Sequence, residues 1–583
     1  MRGFGWSLTA AMVIGLTGAA WAQQGGLPAQ PPPLIKTAQH WKTMLGARAR
    51  FLSGPARSFV GLADAWEKVQ QAATLVRGGL SGGEQGGVGT NDSVATASYP
   101  NLGLTRFFGS TQNETSTAWC GRNAVIAFND SGSILEDDGN KGLFALLGVL
   151  TPTTGFGYTG YAQSSNANAG NPTFIDEAHP PTGPVNTVDE GDPVVVCSNP
   201  HDFWLSSLYV DNSVAGPSGC GLQEITVQTS TDGGHTFGGP SPAVAYDGCY
   251  YLLDKDWMAI NPSNPSELAI SYTNFNHGNF GPYTNDCGGP GAKVLEVDQD
   301  VVVSTNGGAT WSAPTLVYFD CTGKTDAVNQ FSQVAFDPAG RIFDAWEEFA
   351  GNFFTRSLLI AKSGNGGASF GVPVTVHAVN PVGDSYLVFG LQGYIRDYEM
   401  PSLAIGKPGA PNAGDLYISW NDGNRRKPDQ WMQVLKSCCG YGDGKYGFGN
   451  VLFTSSTDHG NSWSAPVQVN QAVKFPTDHF QPALASDFNG RLAVCWYDRN
   501  ASPRNYVMTR NCSQSVNNGA TWRAPIVLAS GTSVVNQDFF LVTTNDLGDY
   551  DGLTTDFTDA NNGFIGGFHY TLLGDQTVRA TKF

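Results

Sequence analysis

Three features of the 583-residue sequence predict an all-β fold built from a repeated four-stranded unit. An eight-residue turn recurs five times. A hairpin motif recurs between those turns. Glycine is abundant, at 73 residues, while Asp, Glu, Lys and Arg together make up only 14%. Many short strands joined by tight turns call for that composition.

The clearest turn is Ser456-Thr457-Asp458-His459-Gly460-Asn461-Ser462-Trp463, and the same form stands at 230–237, 304–311, 363–370 and 515–522. Its template is Ser-x-Asp/Asn-x-Gly-x-Ser/Thr-aromatic. A proline follows each aromatic by three residues, at Pro240, Pro314, Pro373, Pro466 and Pro525. The Asp or Asn side chain can accept bonds from nearby backbone, and the glycine takes the positive φ that other residues resist. The proline suits the start of an edge strand, where no ladder donor is needed.

In chain order, Met1-Arg2, the apolar run 8–20 and Ala20-Trp21-Ala22 read as an export signal over 1–22. That run is too short to span a membrane, and no later apolar stretch reaches ~18 residues. Residues 23–89 read as a linker and a helical N-terminal segment. Phe59, Leu62, Ala63, Trp66, Val69, Ala73 and Val76 recur at helical spacing, and Gly54-Pro55 divides the segment in two. The segment is basic, and the expectation is an appendage packed on the main body or an arm for a membrane surface or partner. Gly78 to Gly89 is a glycine-rich boundary.

From residue 90 the pattern is strand-rich. Asp254 to Ile260 returns as Leu268 to Phe275. Gln333 to Phe336 turns at Asp337-Pro338-Ala339-Gly340 and returns as Ile342 to Trp346. Pro401 to Ile405 returns as Leu416 to Trp420, and Pro482 to Ala485 as Leu492 to Trp496. Weaker copies are Glu114 to Phe128, Asp192 to Tyr209 and Asp551 to His569. A degenerate sixth turn is expected within 165–174, around Asn166, Gly170 and Thr173.

The octet resembles the Asp-box of the sialidase-like β-propellers (BNR repeats). The resemblance covers about residues 93–583 and implies a closed ring of four-stranded blades, seven in number, or six if a terminal hairpin is an appendage. Strands near 93–107 are expected to complete the last blade. In the family the boxes lie on the face away from the pocket, so they report the fold and not the chemistry.

Net charge is −18, which disfavours nucleic acid and anionic membrane as partners of the whole body. The resemblance implies a glycan or glycoprotein partner, and the protein is expected to be a secreted monomer, periplasmic or extracellular. Ten cysteines in an exported chain favour disulfides. Cys495 with Cys512 and Cys287 with Cys321 are the expected pairs, each flanking one unit. Cys438-Cys439 is an adjacent pair. No Cys-x-x-Cys spacing occurs, so no zinc site is expected.

Chemistry is expected on the loops that enter each first strand and on those joining second to third strands. The entry segments carry Glu114, Glu190, Asp192, Asp254, Lys255, Asp256, Arg396, Asp397, Tyr398, Glu399, Asp478, His479, Asp549, Tyr550 and Asp551. The other loops carry Glu347-Glu348, Asn421-Asp422, Arg425-Arg426 and Asp498-Arg499-Asn500. Crowded carboxylates raise one another's pKa, which suits a general acid. They also suit a calcium ion, although no motif demands a cofactor.

Sialidases grip a substrate carboxylate with three arginines, use a Tyr–Glu nucleophile and an Asp acid/base. That implies Asp397, Tyr398, Glu399, Tyr550 and Asp256 as catalytic candidates, with Arg396, Arg425, Arg499 and His479 on substrate. The Phe/Tyr-Arg-Ile/Leu-Pro motif of the first arginine is absent, and Tyr394-Ile395-Arg396 before Pro401 is a loose echo. Three functions therefore stand open: a sialidase-type hydrolase, a two-carboxylate hydrolase of neutral polysaccharides, and a non-catalytic glycan- or protein-binding propeller.

Overall fold

The computed structural model describes residues 33–45, 112–130, 155–277, 295–321, 327–350, 355–382, 397–423, 448–471, 477–502, 507–530, 547–559, 561–572 and 575–583. It also describes the single positions 52, 56, 60, 63, 287, 391 and 395. The export signal, the glycine-rich boundary at 78–89, the expected strands at 93–107 and Cys438-Cys439 lie outside the described residues.

Seven antiparallel sheets form a β-propeller. Their inner strands are Gln112–Cys120, Thr187–Cys197, Tyr251–Ile260, Val328–Phe336, Ser402–Ile405, His479–Ser486 and Gly552–Thr555. These open blades 1 to 7, and every one begins a hairpin expected from the sequence. Blades 1 and 3 to 6 have four strands each, and the described part of blade 7 has three. Blade 2 gains a fifth, Phe156–Gly157, which pairs in parallel with the inner strand. The ring closes between blades 7 and 1. Thr115 Oγ1 donates to Gly567 O at 2.7 Å and accepts from Gly552 N at 2.8 Å.

Local chemistry accounts for the turns. In the octet at 230–237, Ser230 Oγ accepts from Gly234 N at 3.0 Å, and Asp232 Oδ1 accepts from Thr236 N at 3.0 Å. The other four octets repeat this pattern, and all five join the third and fourth strands of a blade. The degenerate copy begins one residue earlier than expected. Ser164 supplies the serine, and Asn166 Oδ1 accepts from Thr173 N at 2.8 Å across a longer loop. At Gly234 (φ +83°) a Cβ would stand 2.1 Å from Val125 of blade 1, so the turn docks on the preceding blade. Each octet aromatic packs into a core between blades, as Phe237 does edge-on to Tyr161.

The first hairpins turn on a second device. Asp337 Oδ1 accepts from Ala339 N and Arg341 N, both at 2.9 Å, and Asp487 does the same with Asn489 N and Arg491 N. Second strands carry the largest core side chains, with Trp346, Trp420 and Trp496 fully buried at matching places in blades 4, 5 and 6.

Both expected disulfides are present. Cys287 is bonded to Cys321, and Cys495 to Cys512 directly across two strands. Cys120–Cys197 links blade 1 to blade 2, and Cys220–Cys249 closes the outer strands of blade 2. No helix among the described residues is long and apolar enough to cross a membrane.

The N-terminal segment is helical over Pro33–Leu45, here α1, and again at Ala56, Val60 and Ala63. Ala38, Trp41 and Leu45 recur at helical spacing and are fully buried. Trp41 Nε1 donates to Gly248 O at 2.8 Å.

Candidate functional site

Five inner strands share an irregularity that places the site. Pairing slips between Asn113 and Ser116, Gly191 and Val194, Asp254 and Trp257, Gln330 and Gln333, and Phe480 and Ala483. Each slip is a β-bulge holding a left-handed non-glycine residue: Glu114 (φ 52°), Asp192 (55°), Lys255 (52°), Phe331 (63°) and Gln481 (51°). A bulge breaks the two-residue alternation and re-aims a side chain. Left-handed backbone at a charged residue is strained, and such strain gathers at functional sites. Three of the five are the charged residues that meet at the axis.

Lys255 is the hub. Its side chain is fully buried, and Nζ lies 3.7 Å from the centre of the Tyr550 ring and 4.6 Å from that of Trp257. Those rings meet edge to face at 5.6 Å. Lys255 Nζ, Tyr550 Oη and both Glu190 carboxylate oxygens have no hydrogen-bond partner among the described residues. Burial pulls the Lys255 pKa down, while Asp192, Asp256, Glu114 and Asp549 push the other way without restoring it. Burial raises the Asp256 carboxyl to about 7, against bonding from Ser206 Oγ at 2.5 Å and the Lys255 charge. Asp192 is raised by burial too, opposed by a bond with Glu114. Glu190 stands well above the usual range through burial and its neighbour Asp254.

Blades 1, 2 and 7 knit around this hub. Glu114 accepts from Asn129 Nδ2 at 2.6 Å and from Asp549 N at 3.0 Å. Asp192 N donates to Asn129 Oδ1 at 2.8 Å. The expected candidates Asp256 and Tyr550 therefore stand together at Lys255.

The remaining candidates lie in other groups. Glu399 pairs with Arg356, whose other carboxylate neighbour, Glu347, lies at 3.8 Å. Burial and Glu399 raise the Glu347 carboxyl well above the usual range. Asp397 accepts from Asn421 Nδ2 at 2.7 Å and is raised by burial and by Glu399, Asp478 and Asp549. Tyr398 is in an apolar cluster, its ring 4.7 Å from Phe331. Arg499 faces Asp478 at 3.5 Å, and His479 places Nε2 3.0 Å from Asn500 Oδ1. Arg396 and Arg425 lie outside the described residues.

Sequence reasoning passed over Arg356, Arg510 and His569. Arg510 binds Asp551 at 3.1 Å, and His569 Nδ1 lies 3.3 Å from the same carboxylate. Burial alone would raise Asp551, but Arg510 and His569 hold it below the usual range. An arginine within an otherwise neutral third strand was the available signal at Arg510, whereas the strand of Arg356 also carries Lys362.

For a cation, one group among the described residues brings three candidate ligand side chains together: Cys220, Asp247 and Cys249. Its cysteines are bonded to each other, so it is no metal site. The axial acids do not converge on one point in this way.

One apolar cluster adjoins the axial groups and shares Tyr550 with them. It joins Ala38, Trp41 and Leu45 of α1 to Tyr398, Met400, Phe331 and Tyr550, with Trp257 packed against it.

No known family model matches the sequence, and no curated protein matches it. Solved structures match in shape. A Hadza microbial sialidase is 15% identical over 67% of this chain, with a TM-score of 0.38, and the chain spans 65% of that protein's length. An ulvan lyase from a new polysaccharide lyase family is 9% identical over 82% of this chain and 94% of its own, with a TM-score of 0.42. A Penicillium chrysogenum alpha-L-arabinanase complexed with arabinobiose is 11% identical over 65% of this chain and 90% of its own, with a TM-score of 0.36. At such identities and TM-scores these likenesses decide nothing, and it is this chain's own strand order that makes it a β-propeller of seven blades.

Proposed function

We propose that the protein is a secreted, glycan-active hydrolase of neutral sugars that uses carboxyl acid–base chemistry at the Lys255 hub. The observation that carries this reading is the hub itself. Strained bulges from blades 1, 2 and 3 hold Glu114, Asp192 and Lys255 against Tyr550, and Lys255 Nζ, Tyr550 Oη and the Glu190 carboxylate have no hydrogen-bond partner among the described residues. Buried donors and acceptors without partners suit a guest that offers both, as sugar hydroxyls do. Asp256, with its pKa near 7, can give and take a proton at neutral pH. Asp192 is the second carboxyl, and Lys255 and Tyr550 contact the sugar.

Among the described residues, the arginines favour a neutral glycan over a sialoside. Gripping a substrate carboxylate takes guanidinium forks turned toward it. Arg356, Arg499 and Arg510 each face a protein carboxylate instead. The competing reading, a non-catalytic binding propeller, is favoured by the complete burial of the hub.

The test is a panel of fluorogenic neutral glycosides and a sialoside, offered at pH 5–8 to the full chain and to Trp41→Ala, which loosens the apolar cover. Release of a neutral aglycone is expected from Trp41→Ala, falling at least ~100-fold on adding Asp256→Asn, the scale of a lost acid–base group. Binding without cleavage by both proteins favours the competing reading, and sialoside release that depends on Arg499 restores the sialidase assignment.

A further inference from the structure

We propose that α1 is an autoinhibitory cover of the axial site, seated by Trp41 and displaced before a ligand can reach Lys255. The proposal rests on the reading of the Lys255 hub as the ligand site.

The cover spans the mouth rather than one blade. The cluster that holds Trp41 and Leu45 takes in Val188 of blade 2, Leu252 of blade 3, Phe331 of blade 4, Met400 at the entry to blade 5 and Tyr550 at the entry to blade 7. Tyr550 thus belongs both to the apolar underside of the cover and to the polar hub. Lys255, Asp192 and Asp256 are 0% exposed with the cover in place. On this proposal Trp41 and Leu45 close the route by which a sugar would reach them.

The mode of attachment is what a displaceable element needs. α1 adds no strand to any sheet, so its removal breaks no ladder. Side-chain packing and the indole bond to Gly248 O contribute to its seating. Charge adds a second hold. Residues 23–89 carry a net charge of +4 and residues 90–583 a net −23. Attraction of that kind draws the segment to the body and weakens in salt.

The experiment places a protease site within 78–89, folds the intact chain, cleaves it and strips the N-terminal peptide in high salt. Trp41→Ala is studied uncleaved beside it. Access is read by mass spectrometry as modification of Lys255 by an amine-reactive reagent, which does not depend on catalysis. Neutral-glycoside hydrolysis is read in parallel. Lys255 is expected to react at least tenfold faster in the stripped protein and in Trp41→Ala, and added peptide is expected to restore protection. Unchanged Lys255 protection in stripped protein that still melts cooperatively would overturn the proposal. So would collapse of the fold on stripping, which would make the segment a structural wall. Faster labelling without hydrolysis of any glycoside leaves the cover standing and removes the hydrolase reading.

Discussion

Asp256→Asn should stabilise the protein in a pH-dependent way. The Asp256 carboxyl rises from 3.8 to about 7 in the fold, chiefly through burial. A group raised in this way keeps its proton in the folded state while the unfolded chain sheds it. Its stabilising protonation is complete below pH 3.8 and is lost as pH climbs to about 7, beyond which the penalty is constant. Three units at 1.36 kcal/mol each put that penalty at ~4 kcal/mol. Asparagine stays neutral throughout and can still accept the Ser206 Oγ bond. The stability gap between variant and wild type should therefore be small at pH 4, grow through pH 6 and level off near pH 8. Urea unfolding followed by tryptophan fluorescence at those three pH values measures the gap. A gap that is the same at pH 4 and pH 8 would refute the buried, neutral Asp256 and with it the proton-donor role.

Two further outcomes test the frame. Gly519→Ala should cost ~2–5 kcal/mol, combining the left-handed penalty with overpacking, since its Cβ would stand 2.0 Å from the Phe453 ring. Gly366→Ala, at φ +70° with nothing within 4 Å, should lose only the conformational part, and equal losses for the two would exclude the inter-blade contact. Arg510→Met should cost ~3–5 kcal/mol, the usual consequence of stranding one partner of a buried ion pair, because Asp551 is wholly buried beside it. A thermal-melt shift near zero would mean that water or His569 carries the Asp551 charge unaided.

The octets, the interleaved hairpins and two disulfides were legible in the amino-acid sequence because their chemistry is local. A serine, an Asp or Asn and a glycine within five residues bond to their own backbone, and five repeats with seven hairpins fix a ring. The sequence also named the entry segments that carry Glu114, Asp192, Lys255, Asp256 and Tyr550. Tertiary structure alone decided which of them meet. The bulges at Glu114, Asp192 and Lys255 are mismatches between two strands, and no one-dimensional alternation records them. Arg356 and Arg510 found their carboxylates 43 and 41 residues away, and Trp41 found Gly248 across 207, through the closing of the ring and the seating of the helix. Local bonding writes the turns, whereas contacts at the axis exist only once seven blades have converged there.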